Sequence, residues 1–100
     1  MIPKILQTSK QKIVALCREH QISELSLFGS RVRGDFSASS DFDFLVEFFP
    51  NARIGFIELG TIQAELEEIV ESEVDLVPKD GLKAIIRQRV LDEVEIVYVA

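Results

Sequence analysis

Two short stretches carry side chains suited to chemistry: Gly29-Ser30 and Asp41-Phe42-Asp43, with ten residues between the serine and the first aspartate. A glycine lets backbone approach a ligand with no Cβ in the way. If a helical turn begins at Ser30, its unpaired amides favour an anion, and the serine hydroxyl adds a donor. Arg31 and Arg33 follow at once, and a guanidinium is shaped to meet phosphate oxygens. Gly29, Ser30, Arg31 and Arg33 together make a small cradle for a triphosphate, although the GxxxxGK[ST] spacing of a P-loop is absent. Taken alone, the same residues also describe an ordinary turn with a helix cap and two solvated arginines.

Asp41 and Asp43 are two apart in a segment that reads as a strand, so both point the same way, roughly 6–7 Å apart along the chain. Aspartate suits strand interiors poorly. Like charges about 4 Å apart repel by roughly 4 kcal/mol at an effective dielectric near 20. Mg²⁺ prefers hard, short-reach oxygen ligands and usually completes its shell with phosphate oxygens. A solvated sheet face is the alternative for the pair in isolation. A third carboxylate should come from a neighbouring strand. Asp75 in Glu73-Val74-Asp75-Leu76-Val77 is the best candidate, because Val74 and Leu76 would face the core and leave Asp75 on the other side. Glu73 shares its face and is the rival.

The elements that must position these groups are legible from periodicity. Residues 5–20 read as a helix with a break near Thr8-Ser9, Ser9 as its N-cap, and Ile13, Leu16 and Cys17 on one face. Residues 24–28 form a short apolar strand ending at Gly29, followed by a helical turn and a polar loop to Ser40. Residues 42–49 are the clearest strand, with Phe42, Phe44, Val46 and Phe48 on one face and Asp41, Asp43, Leu45 and Glu47 on the other. A helix over 56–71 shows Phe56, Leu59, Ile62, Leu66, Ile69 and Val70 at helical spacing. A strand over 74–77 stops at Pro78. A helix over 82–92 follows, capped by Asp80, with Leu82, Ile85, Ile86 and Val90 inside. A last strand covers 95–99. The order implies an α/β (α+β) domain spanning 1–100, a mixed sheet of about four strands covered by helices.

Composition narrows the class of function. The net charge of −6 repels nucleic-acid backbones at long range, so direct nucleic-acid binding is not expected. No apolar run approaches the roughly 20 residues that cross a membrane, and Met1-Ile2-Pro3-Lys4 does not open a signal-peptide hydrophobic region. The single Cys17 sits among apolar residues and reads as core. A reducing cytoplasm fits all of this. The sole histidine, His20, reads as a helix C-terminal dipole partner, Tyr98 as edge packing, and Phe48 and Phe49 as core and rim.

The joint pattern resembles the nucleotidyltransferase superfamily that includes DNA polymerase β. More narrowly it looks like the minimal nucleotidyltransferases, or MNT proteins, encoded beside an all-helical HEPN partner in prokaryotic toxin–antitoxin pairs. The stretches that carry the likeness are 29–34, 40–46 and 74–77. The resemblance implies that Asp41 and Asp43 hold two Mg²⁺ ions and that Asp75 serves as a further ligand or as base. It implies that Ser30 and the turn amides grip the outer phosphates of ATP, with Arg31 and Arg33 steadying the leaving group. The implied reaction moves AMP from ATP to a tyrosine of the HEPN toxin, with this chain as the antitoxin in a hetero-oligomer. Two alternatives belong to other classes: a non-catalytic antitoxin acting by contact, and nucleotidyl transfer to a small molecule such as an aminoglycoside. Nothing in the sequence reads out adenine over guanine.

Overall fold

The apolar stripe of the first twenty residues is interrupted where expected. A computed structural model describes residues 3–33 and 41–100, with backbone alone at Ser30 and Arg33. The polar segment 34–40 and the side chains of Ser30 and Arg33, all part of the readings above, lie outside the described residues. Helix α1 (Lys4–Thr8) gives way to α2 (Lys10–Glu19) at Ser9. The expected capping by the Ser9 side chain does not occur. Its backbone does the bridging instead: its N–H donates to Ile5 O and its carbonyl accepts from Ile13 N, each at 3.1 Å. Helix α2 buries Ile13, Leu16 and Cys17. Burial pushes the Cys17 thiol up to about 12, so it stays protonated and inert as a core residue.

Gln21, at a left-handed φ of 59°, turns the chain into β1 (Ile22–Phe28). That strand begins two residues before the expected start because Ile22 is fully buried. β2 (Phe42–Phe48) pairs antiparallel with β1, from Ile22↔Phe48 to Phe28↔Asp43. α4 (Phe56–Val70) then makes the crossover that a parallel neighbour requires. β3 (Val74–Pro78) runs parallel to β2. β4 (Glu95–Val99) closes the other edge against β1, giving the order β3-β2-β1-β4. One face of the sheet carries Leu25, Leu27, Phe42, Phe44 and Val46, which form one core with Ile13 and Leu16 of α2 and Ile62, Leu66 and Val70 of α4.

The residues alternating to the other face of β2 are Asp43, Leu45 and Glu47. Leu45 is nevertheless buried, as is its β1 neighbour Ser26. α5 (Ala84–Glu93) carries the chain from β3 to β4. It is tied at one end by Arg87 Nη1 donating to Lys79 O at 3.4 Å and at the other by Glu93 on the Gly29 amide. The expected inner side of this helix does not form. Val90 is buried, but Ile85 is 91% exposed and Ile86 is exposed as well. Asp80 does not cap it: a 3-10 turn over Lys79–Gly81 uses that residue, and the helix starts later, after Lys83. Phe56 likewise leaves the inner stripe of α4 at 93% exposure, while Ile62, Leu66 and Val70, four apart, do the packing.

Candidate active site

The site is assembled where β1 ends and β2 begins. Gly29 follows β1 with φ at +81°, a region that side chains rarely adopt. A Cβ placed on it would collide with Oδ2 of Asp43. The glycine is therefore required twice, by its backbone angle and by the carboxylate packed against it. Helix α3 (Ser30–Arg33) starts directly afterwards, its turn closed by Val32 N donating to Gly29 O at 3.1 Å. Arg31 is half-buried, with its guanidinium carbon 4.1 Å from the Phe42 ring centroid. That cation–π contact ties α3 to β2.

The register of the sheet brings the acids together. Asp43 on β2 sits directly opposite Asp75 on β3, and neighbouring strands are about 4.8 Å apart. Val74 is buried and Leu76 packs against the core, so Asp75 is turned outward and exposed. Asp41 is exposed and immediately precedes β2, two residues before Asp43. Phe42 N donates to Glu73 O at 3.0 Å, so the pairing reaches back to Glu73. Glu73 precedes Val74, the partner of Phe42, whereas Asp75 is paired with the second aspartate, Asp43. Short hard-oxygen ligands on adjacent strands, one of them packed against a glycine turn that leads into a helix, fit the chemistry of Mg²⁺ with a phosphate ligand. Asp41, Asp43 and Asp75 are the residues that could hold it.

One residue was missed in the sequence. Glu93 Oε1 accepts a hydrogen bond from Gly29 N at 3.3 Å. The available signal was its place: a carboxylate in the last turn of a helix opposes the helix dipole.

His20 is far from this site, at the other end of β1. It is the C-cap of α2, as its dipole reading required, but it also spans two helices. Nδ1 lies 2.9 Å from Glu58 Oε2 and Nε2 lies 3.2 Å from Glu65 Oε1. Both ring nitrogens face carboxylate oxygens, an arrangement that favours the protonated ring with its two N–H donors. Burial alone would lower its pKa. The hydrogen bonds to Glu58 and Glu65, with the charges of Glu65 and Glu19, outweigh that and raise it. The ligand atoms of Glu19, His20 and Glu65 lie within 4.8 Å of one another, but the imidazole is already engaged on both sides. A cleft of about 660 Å³ is also away from the acids. It lies at the far ends of β2 and β3, lined by Phe48, Phe49, Ile54, Leu59, Lys79 and Arg87 among others.

A β3-β2-β1-β4 sheet packed against helices, with a glycine-serine turn beside paired aspartates, defines the nucleotidyltransferase class of fold. The sequence matches the Nucleotidyltransferase domain family over residues 9–97, and the chain belongs to that family. It is an enzyme of the nucleotidyltransferase type, related to the MntA protein adenylyltransferases. The protein adenylyltransferase MntA of Thermococcus cleftensis is 44% identical over 80 residues, covering 78% of this chain and 75% of its own. A solved structure described provisionally as a minimal nucleotidyltransferase superposes with a TM-score of 0.77 at 28% identity, over 95% of each chain. The fold is shared with the complex of a tri-AMPylated Shewanella oneidensis HEPN toxin with its MNT antitoxin. There the TM-score is 0.68 at 22% identity, covering 95% of this chain and 73% of the other. No helix among the described residues is long and apolar enough to cross a membrane.

Proposed function

We propose that this chain transfers AMP from ATP, with Mg²⁺, to a tyrosine hydroxyl of a HEPN-class protein partner and thereby acts as its antitoxin. The observation that carries the reading is the pairing of Asp43 with Asp75 across β2 and β3, with Asp43 packed against the Cβ-free face of Gly29. The relationship to MntA supports AMP as the transferred group, and the AMPylated HEPN complex of a fold relative supports the partner.

Asp41, Asp43 and Asp75 would hold the two Mg²⁺ ions, which supply charge neutralisation for the triphosphate and a lowered pKa for the attacking hydroxyl. Gly29 lets Asp43 lie against the turn at the start of α3. Ser30 and the amides after it would grip the outer phosphates, and Arg31 and Arg33 would balance charge on the leaving group. The acceptor oxygen attacks the α-phosphorus, the bond to the bridging oxygen of the β-phosphate breaks, and pyrophosphate departs. The hydroxyl proton passes to Asp75 or solvent.

Contact neutralisation keeps one specific support: Phe56 and Ile57 are 93% and 89% exposed at the start of α4, as apolar side chains on a partner-facing surface would be. Radiolabelled ATP, Mg²⁺ and the HEPN partner separate the readings. Label on a partner tyrosine that vanishes with Asp41→Ala or Asp43→Ala supports transfer. Neutralisation that survives both substitutions without label supports contact, and label on an added aminoglycoside alone overturns the protein acceptor.

A further inference from the structure

Glu93 is the last residue of α5, where a carboxylate opposes the helix dipole. The cost is offset by what it touches. Its Oε1 accepts the Gly29 N–H at 3.3 Å. Gly29 is also the residue whose missing Cβ makes room for Asp43 Oδ2. One glycine is thus held from two sides, at its amide by Glu93 and at its Cα by Asp43. The placement is imposed by backbone. Leu27 pairs with Glu95 where β1 and β4 run antiparallel, so the residues preceding Glu95 are delivered beside those following Leu27. Helix α5 otherwise buries only Val90. Its C-terminal end is anchored by the same strand junction that brings Glu93 to the turn.

We propose that Glu93 is a positioning residue for nucleotidyl transfer. By accepting the Gly29 amide it fixes the peptide that leads into α3, so that the amides from Ser30 onward, and not that of Gly29, are presented to the triphosphate. This rests on the nucleotide site proposed above. The Gly29 amide belongs to the protein's own scaffold, and the left-handed turn keeps one orientation before nucleotide arrives. Removing the acceptor leaves that amide unpaired and frees the peptide to rotate. Glutamine keeps an acceptor oxygen at the same reach, whereas aspartate is one methylene too short.

The test measures ATP KM and kcat of the full chain with its HEPN partner, together with the Gly29 amide resonance and its hydrogen exchange in the nucleotide-free protein. Glu93→Ala is expected to raise KM for ATP by about tenfold, equivalent to roughly 1.4 kcal/mol. It should lower kcat less and shift and deprotect the Gly29 amide. Glu93→Gln should stay within about threefold of wild type, since it preserves the bond. Should Glu93→Ala fail to fold, Glu93→Asp and Glu93→Gln carry the comparison, with the Asp variant impaired and the Gln variant not. Asp92→Ala, next in sequence and bonded to the exposed Gln88, controls for loss of charge on α5 and should leave KM unchanged. An unaltered Gly29 amide in Glu93→Ala, or a Gln variant as impaired as the Ala variant, overturns the role. A wild-type chain that neither binds nor uses ATP overturns the nucleotide site itself, a failure that the Gly29 amide measurement tells apart from the first.

Discussion

At the scale of single residues, two positions do more than their type announces. Gly29 combines a φ of +81° with a Cβ position already taken by Asp43. A left-handed backbone costs an L-residue roughly 1–2 kcal/mol, and the collision adds to it. Gly29→Ala is therefore expected to lower stability by at least about 2 kcal/mol, read from the urea midpoint, and to abolish transfer by displacing Asp43. His20 is the second. Its folded-state pKa is raised above the ordinary value of about 6.5. The clamp therefore contributes fully below about pH 6.5 and is lost as pH rises through the higher folded value. Wild type should lose stability over that alkaline-going window. His20→Gln should be less stable at pH 6 and show a flatter profile, with the two curves converging above the window. Thermal melts across pH 5.5–9 check the sign, and a wild-type curve that rises with pH relative to the variant would refute it. Gly29 was legible because a glycine before a serine after an apolar run marks a turn. The role of His20 was only half legible, since Glu58 and Glu65 lie 38 and 45 residues away along the chain.

At the scale of elements, what could be read and what could not divide along the number of contacts that set each one. β2 announced itself because apolar and acidic residues alternate through most of it and one face buries Phe42, Phe44 and Val46. The same alternation placed Asp75 outward, since Val74 and Leu76 fix which way the strand faces. α5 misled because it meets the sheet through little more than Val90. An apolar period cannot say which of Leu82, Ile85 or Ile86 turns inward when the supporting surface is one residue wide. α4 offers a test of local propensity against packing. Gly60 lies in its interior, is exposed, and a Cβ there meets nothing within 4 Å. Alanine relieves the backbone entropy of a helical glycine at no steric cost, so Gly60→Ala should gain about 0.8–1 kcal/mol. The gain is read from the same denaturation midpoints, and a loss there would show a tight contact that the structure lacks. Paired with Gly29→Ala, the two substitutions make the same chemical change with opposite signs.

At the scale of the whole molecule, charge is unevenly shared. The chain carries a net −6, and Asp41, Asp43, Glu73 and Asp75 all fall at one end of the β2–β3 pair. Two carboxylates on adjacent strands about 4.8 Å apart would repel by roughly 3.5 kcal/mol at an effective dielectric of 20. Asp75 is exposed, so water and salt reduce that several-fold. A divalent cation bound there would offset what repulsion remains. Asp75→Asn removes the repulsion together with a proposed Mg²⁺ ligand. It should stabilise the metal-free protein by up to about 1 kcal/mol, with the larger gain at low salt. It should also weaken the response to Mg²⁺. A ligand that binds only the native state adds about 1.4 kcal/mol when its concentration is ten times its Kd, so wild type should overtake the variant as Mg²⁺ is raised. Melting curves with and without Mg²⁺ and a nonhydrolysable ATP analogue would show this crossing. Lys79 and Glu47, 3.7 Å apart at the opposite end of the same strands, supply the contrast. Glu47→Gln breaks an exposed pair worth no more than about 1 kcal/mol, and it should leave the Mg²⁺ response intact. If both substitutions shift that response equally, the cation acts on overall charge, and the three aspartates are not its ligands.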